Sequence, residues 1–97
     1  NLLIMKAIFN GETIAESNET IVIEGNHYFP PNKKKKEFFK ESNTHSTCPW
    51  KGYASYFTVE VNGTTNKDAA WYYPDPSDKA KEIKDYVAFW NGVKIIE

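Results

Sequence analysis

The chain has 97 residues, of which 40% are hydrophobic and 26% charged, with a net charge of −1. That is one domain's worth of chain, able to bury roughly 60–70% of its unfolded surface and too apolar for a disordered segment. All twelve basic residues are lysine and none is arginine, so no strong field draws nucleic acid or anionic lipid, and a bound anion must rely on lysine, backbone N–H groups or hydroxyls.

The opening residues 1–4 are apolar but far too short for a secretory signal, and read as a cloning remnant or an extended start. Met5 to Asn10 and Glu12 to Ser17 flank Asn10-Gly11, a pair that tolerates the positive φ angles of a tight hairpin turn. Thr20 to Glu24 is a strand by its β-branched composition, ended by Gly25-Asn26. The spacing beyond it predicts a short helix from Lys33 to about Glu41, capped by Asn32, with Phe38 or Phe39 inward. Four consecutive lysines, Lys33 to Lys36, suit the positive end of a helix dipole poorly, so this run frays or precedes the helix.

A second hairpin runs from Ala54 to Val61, turns at Asn62-Gly63 and returns through Thr64 and Thr65. Ala69 to Tyr73 reads as a strand stopped by Pro74 and Pro76. Ser77 is the expected cap of a helix from Asp78 to Asp85, with Ile83 facing the core. Tyr86 to Asn91 and Val93 to Glu97 form a third expected hairpin around Asn91-Gly92. Phe9-Asn10-Gly11 and Trp90-Asn91-Gly92 look alike, but what they share is turn chemistry rather than a repeat. Three Trp, six Tyr and six Phe suit strands better than a helical bundle. The expected fold is a mainly β, compact antiparallel hairpin-sheet domain with short helices, a single unit over residues 1–97.

Three segments carry a resemblance: Glu24-Gly25-Asn26-His27-Tyr28-Phe29-Pro30, then Cys48-Pro49-Trp50-Lys51-Gly52 with Ala54 and Tyr56, then Ala70-Trp71-Tyr72-Tyr73-Pro74. In this order and spacing, with the closing Val87-Ala88-Phe89, the chain resembles the bacterial domain-of-unknown-function 427 family from about Met5 onward. That family also carries a nucleotidyltransferase-like label. The resemblance implies a β-tent-like fold and no established reaction, substrate or cofactor. The label meets no Gly-rich phosphate loop and no spaced pair of aspartates for Mg²⁺ in this sequence.

Cys48 is the only cysteine, which rules out an internal disulfide. It is a candidate nucleophile with His45 or His27 as base, but a buried cysteine at a corner shaped by Pro49 and Gly52 is the commoner situation. His27, His45 and Cys48 are also the three residues that could together hold a zinc ion, although closed structural sites normally use several thiolates. No cofactor or metal is expected.

Lys51 stands among aromatics and glycines where strands end, and once buried it needs a carboxylate partner. Glu24 is the first candidate and Asp68 the second. The expected site is a cleft with Glu24 and Lys51 at its floor and Tyr28, Tyr56, Trp71 and Tyr73 as walls. Trp71 and Tyr73 share one face of their strand while Tyr72 takes the other. Such a face could stack bases, but the charge balance argues against nucleic acid.

Three functions follow as expectations. The first is binding of a small polar or anionic molecule, with or without chemistry by Cys48, Lys51 or Glu24. The second is a non-enzymatic homodimeric interaction module, and the third is nucleotidyl transfer, carried by the label alone. No apolar run reaches the ~18–20 residues of a membrane helix, so no membrane partner is expected and a cytoplasmic location is the default.

Overall fold

Inward and outward residues alternate along the longest strands, and that alternation builds the molecule. The structure is a computed structural model, and it describes residues 3–97; the first two residues of the 1–4 segment lie outside the described residues. The strands are β1 (Met5–Phe9), β2 (Glu12–Ser17), β3 (Ile21–Ile23), β4 (Asn26–Tyr28), β5 (Phe39–Cys48), β6 (Gly52–Val61), β7 (Thr64–Tyr72), β8 (Val87–Phe89) and β9 (Lys94–Ile96). They form an antiparallel four-stranded sheet in the order β5-β6-β7-β8, a three-stranded sheet β2-β1-β9, and the hairpin β3-β4. Mutual backbone hydrogen bonds between Phe29 and Val87, 2.8 and 2.9 Å, dock the end of β4 onto β8.

The central four-stranded sheet is covered on both faces. On one face Phe57, Val59, Val61, Ala70, Tyr72, Val87 and Phe89 pack with Ala7, Ile14 and Ala15 of the three-stranded sheet. On the other, Ala54, Tyr56, Trp71, Tyr73 and Ala88 pack with Tyr28, Ile21, Ile23, Ala80 and Ile83. Period-two alternation therefore sends Tyr56 and Phe57, and likewise Trp71 and Tyr72, to opposite sides.

The first two expected hairpins form, and their turns adopt positive φ at Asn10 and Gly11 and at Asn62 and Gly63. The expected strand Thr20 to Glu24 is β3, which turns at Glu24-Gly25 into β4. Of the expected strand Ala69 to Tyr73, residues 69–72 belong to the longer β7, and Tyr73 follows it in an isolated bridge to Lys84.

Other expectations are corrected. The helix from Lys33 to Glu41 does not form; single 3-10 turns at Pro31–Lys33 and Lys36–Phe38 lead directly into β5. Like-charge repulsion along four lysines, at an end with no side-chain cap, leaves a helix nothing to nucleate on. The strand that replaces it is the edge of its sheet, so its sequence is polar and hides the apolar alternation that marks a buried strand. The third hairpin is not one: β8 pairs with β7 and β9 pairs with β1. The Asn91-Gly92 turn passes the chain from one sheet to the other rather than folding it back.

The helix expected over Asp78 to Asp85 is a 3-10 segment, Asp78–Ile83, with Ala80 and Ile83 buried as the core face. Ser77 does not cap it with its side chain. Its hydroxyl donates instead to the Trp50 carbonyl, and its N–H donates to the Lys51 carbonyl at 3.0 Å. These bonds clamp the Cys48–Gly52 corner.

At that corner Gly52 has φ +114°, and an added Cβ would meet the Asp75 carbonyl and the Ser77 nitrogen at 3.5 Å, ordinary contact. Backbone conformation, not crowding, therefore sets the cost of a side chain there. Gly52→Ala is expected to lower the unfolding free energy by about 1–3 kcal/mol, read as a reduced urea midpoint at unchanged slope.

Candidate functional site

Glu24 is the residue that the local backbone suits least. It sits at φ +54° in the β3-β4 turn, a conformation that Asn tolerates better than Glu. Asn would ease the backbone, but Glu has the longer arm, and here that arm carries its carboxylate to Lys51. The Lys51 ammonium donates to Glu24 Oε1, and Trp50 Nε1 lies 3.4 Å from Oε2. The pair is lopsided: the Lys51 side chain is 7% exposed and that of Glu24 55%. The lysine reaches its position between rings, with Nζ 5.2 Å from the Trp50 centroid and 5.8 Å from that of Tyr73.

Lys51, Tyr56, Trp71, Tyr73 and Trp90 line a pocket of about 210 Å³. It lies on the face of the central sheet that carries the Tyr28 cluster. Trp71 stands edge-on to both Tyr28 and Trp90, with centroids 6.2 and 6.4 Å away. Both indoles are pinned: Trp71 Nε1 donates to the Tyr28 hydroxyl at 3.2 Å, and Trp90 Nε1 donates to the Asp68 carbonyl at 2.7 Å. The Tyr56 hydroxyl hydrogen-bonds Ser46 Oγ at 2.8 Å. The walls are thus held before any ligand arrives, which reduces the ordering cost of binding.

Of the residues expected to form the cleft, Lys51, Tyr56, Trp71 and Tyr73 line the pocket and Glu24 holds the lysine from outside. Tyr28 is corrected from wall to support. It is fully buried and sits behind Trp71, because residue 28 closes β4 on its inward face. Asp68 is not the partner of Lys51: its Oδ2 accepts from the Thr44 hydroxyl at 2.6 Å, and a bulge in β7 opposite Thr58 turns it towards β5.

Trp90 was missed in the sequence. It comes from beyond β8, on the turn first read as a hairpin, and only the pairing of β8 with β7 carries it to the pocket.

The cysteine and histidines do not assemble. In the register of β5 against β6, His45 lies opposite Ser55 and Cys48 opposite Gly52, so three residues of strand set them on opposite faces. His45 stacks on Tyr53 at 4.8 Å, and His27 Nδ1 hydrogen-bonds Thr20 Oγ1 at 2.9 Å. Cys48 is half-buried against the Tyr28 and Tyr73 cluster. Among the described residues no three of His, Cys, Asp and Glu converge as a metal-holding group.

The charges respond to this geometry. The hydrogen bond from Lys51, and then that from Trp50, hold the Glu24 carboxyl below its ordinary 4.5. Burial alone would depress Lys51, but the bond to Glu24 and the attraction of Tyr28, Cys48 and Glu24 outweigh it, leaving the ammonium above its ordinary 10.5. Burial, then Tyr28, Cys48 and Tyr56, push the Tyr73 hydroxyl far above its ordinary 10.

The carboxylate's contribution to stability is present above pH 4.5 and is lost as pH falls through the lowered value. That of the ammonium is present below pH 10.5 and is lost as pH rises through the raised value. The melting-temperature advantage of the wild type over Glu24→Gln is therefore expected to be constant between those limits and to vanish beyond both. An advantage that persists undiminished in strong acid would show that the carboxylate charge is not its source.

The family model described as Domain of unknown function (DUF427) matches residues 4–96, and the chain belongs to that family. No curated protein matches the chain. No helix among the described residues is long and apolar enough to cross a membrane.

Proposed function

We propose that this DUF427 domain binds a small polar or anionic molecule in the pocket around Lys51. The observation that carries the reading is an ammonium almost wholly withdrawn from water that nonetheless lines an open, aromatic-walled pocket. A lysine buried only to fix a corner needs its carboxylate and nothing else. Here one side of the ammonium meets Glu24 and another faces the space between Tyr56, Trp71, Tyr73 and Trp90. Such a site recognises a ring or other flat apolar body by its walls and a single acceptor group by Lys51 and Tyr73.

A thermal-shift screen of nucleotides with and without Mg²⁺, phosphorylated metabolites, amino acids, small carboxylic acids and zinc tests the proposal. A ligand at a hundred times its dissociation constant adds about 2.7 kcal/mol, a rise of roughly ten degrees or more for a domain of this size. No rise from any compound would count against a binding role.

A homodimeric module is the second reading, supported by the exposed Trp50 and Tyr53 beside the Lys51 corner. Sedimentation equilibrium that returns a monomer at high micromolar concentration would remove it. Nucleotidyl transfer rests on the label of the family model alone.

A further inference from the structure

The central sheet has a second cleft on its other side, and its walls come from the residues next to those of the first. Phe57 follows Tyr56 and Tyr72 follows Trp71, so the strand period turns them away from Lys51 and towards a cavity of about 290 Å³. Pro31, Lys34, Glu41 and Asp85 complete its lining.

Phe57 and Tyr72 stack at 4.5 Å with their planes 17° apart and form its flat apolar wall. Lys34 Nζ lies 5.4 Å from the Phe57 centroid and donates to the Pro31 carbonyl at 3.3 Å. Among the described residues neither Lys34 nor Glu41 has an ion-pair partner, and Asp85 has only its neighbour Lys84 at 3.4 Å. The frame is rigid on two sides. Lys34 lies in a β-bridge to Ala15, and the Asp85 N–H donates to the Tyr73 carbonyl at 3.0 Å. Asp85 also keeps a left-handed φ of +63°, a conformation held by its surroundings.

We propose that this cleft binds a free amino acid with an aromatic side chain. Its carboxylate pairs with Lys34, its ammonium lies between Glu41 and Asp85 beside the Tyr72 hydroxyl, and its ring lies on the Phe57–Tyr72 stack. One positive and two negative groups leave the cleft with a net charge of −1, so a carboxylic acid without an amine is repelled. An amine without a carboxylate leaves the Lys34 ammonium as poorly satisfied as before.

The titration directions agree with this layout. Burial, then repulsion from Lys36, lowers Lys34; burial, then Glu41, raises Tyr72, with Asp85 adding to the rise. The proposal is independent of the Lys51 pocket, because the two clefts share no lining residue.

Isothermal titration calorimetry on the whole chain with L-phenylalanine, phenethylamine and 3-phenylpropionate is the test. Phenylalanine is expected to bind, and each analogue, which lacks one charge, is expected to bind at least about tenfold more weakly. Lys34→Ala and Glu41→Gln are expected to weaken phenylalanine by a similar factor, and Lys51→Met to leave it unchanged. Absence of phenylalanine binding, equal binding of either analogue, or loss in Lys51→Met with retention in Lys34→Ala would each overturn the assignment. The comparison of the three ligands is judged in Lys51→Met, where the first pocket has lost its ammonium and nothing in the second cleft is changed, so a folding defect in Lys34→Ala cannot obscure the result.

Discussion

Tyr28→Ala is expected to lower the free energy of unfolding by about 3–5 kcal/mol, the range for emptying a fully buried aromatic position. Tyr28 is 0% exposed and sits where β3-β4, the 3-10 segment and the central sheet meet. Its loss removes the edge-on partner of Trp71 and leaves the Trp71 N–H without its acceptor. Total stability for a small domain is about 5–15 kcal/mol, so this one change takes about a fifth or more of it. The midpoint should fall by roughly 12 °C or more at 4–8 °C per kcal/mol.

Tyr28→Phe keeps the ring and removes the acceptor alone. It is expected to cost about 1 kcal/mol, the net contribution of one hydrogen bond from a half-buried donor. A urea titration of both variants checks the order. If Tyr28→Phe proved as damaging as Tyr28→Ala, the hydroxyl rather than the packed ring would be what holds the pocket's back wall.

Lys51→Met is expected to abolish the thermal response to any ligand of the aromatic pocket while moving the apo midpoint by only a few degrees. Methionine follows the same unbranched path between the rings and buries no charge, and replacing a desolvated ion with an apolar side chain of similar length is often neutral. Glu24, already more than half exposed, simply returns to water.

The reverse deletion is not equivalent, because Glu24→Ala leaves the Lys51 ammonium buried without its carboxylate. That variant is expected to melt lower than Lys51→Met although it removes the more exposed member of the pair. Thermal melts of the two variants, with and without a ligand identified by screening, separate the roles. A full ligand response in Lys51→Met would sink the proposed binding site, and an apo midpoint lower than that of Glu24→Ala would make Lys51 a structural post.

Much of the geometry of the candidate site was legible before the structure. Lys51 between Trp50 and Gly52 announced a charge in an aromatic corner, Glu24 at a strand end was its natural partner, and period two along Ala69 to Tyr73 placed Trp71 with Tyr73. The structure brings these together. Trp90 and the depth of Tyr28 were not legible. Both depend on which strand lies beside which, and the alternation along one strand carries no information about its neighbour.

Local chemistry by itself determined the antiparallel β character, the first two Asn-Gly turns and which aromatics share a face. Those features depend on residues two to four apart, where allowed φ and the pleat dictate the outcome. Tertiary structure alone decided that Asn91-Gly92 links two sheets, that the polar stretch Phe39–Cys48 is an edge strand, and that the central sheet carries a cleft on each face. This edge strand is exposed over most of its length, so it needs little apolar alternation, and polar residues discourage further pairing at its open edge. A turn fixes the reversal of the chain but not its partner, and that choice falls to the burial of Val87 and Phe89 against the first core and of Ala88 against the second.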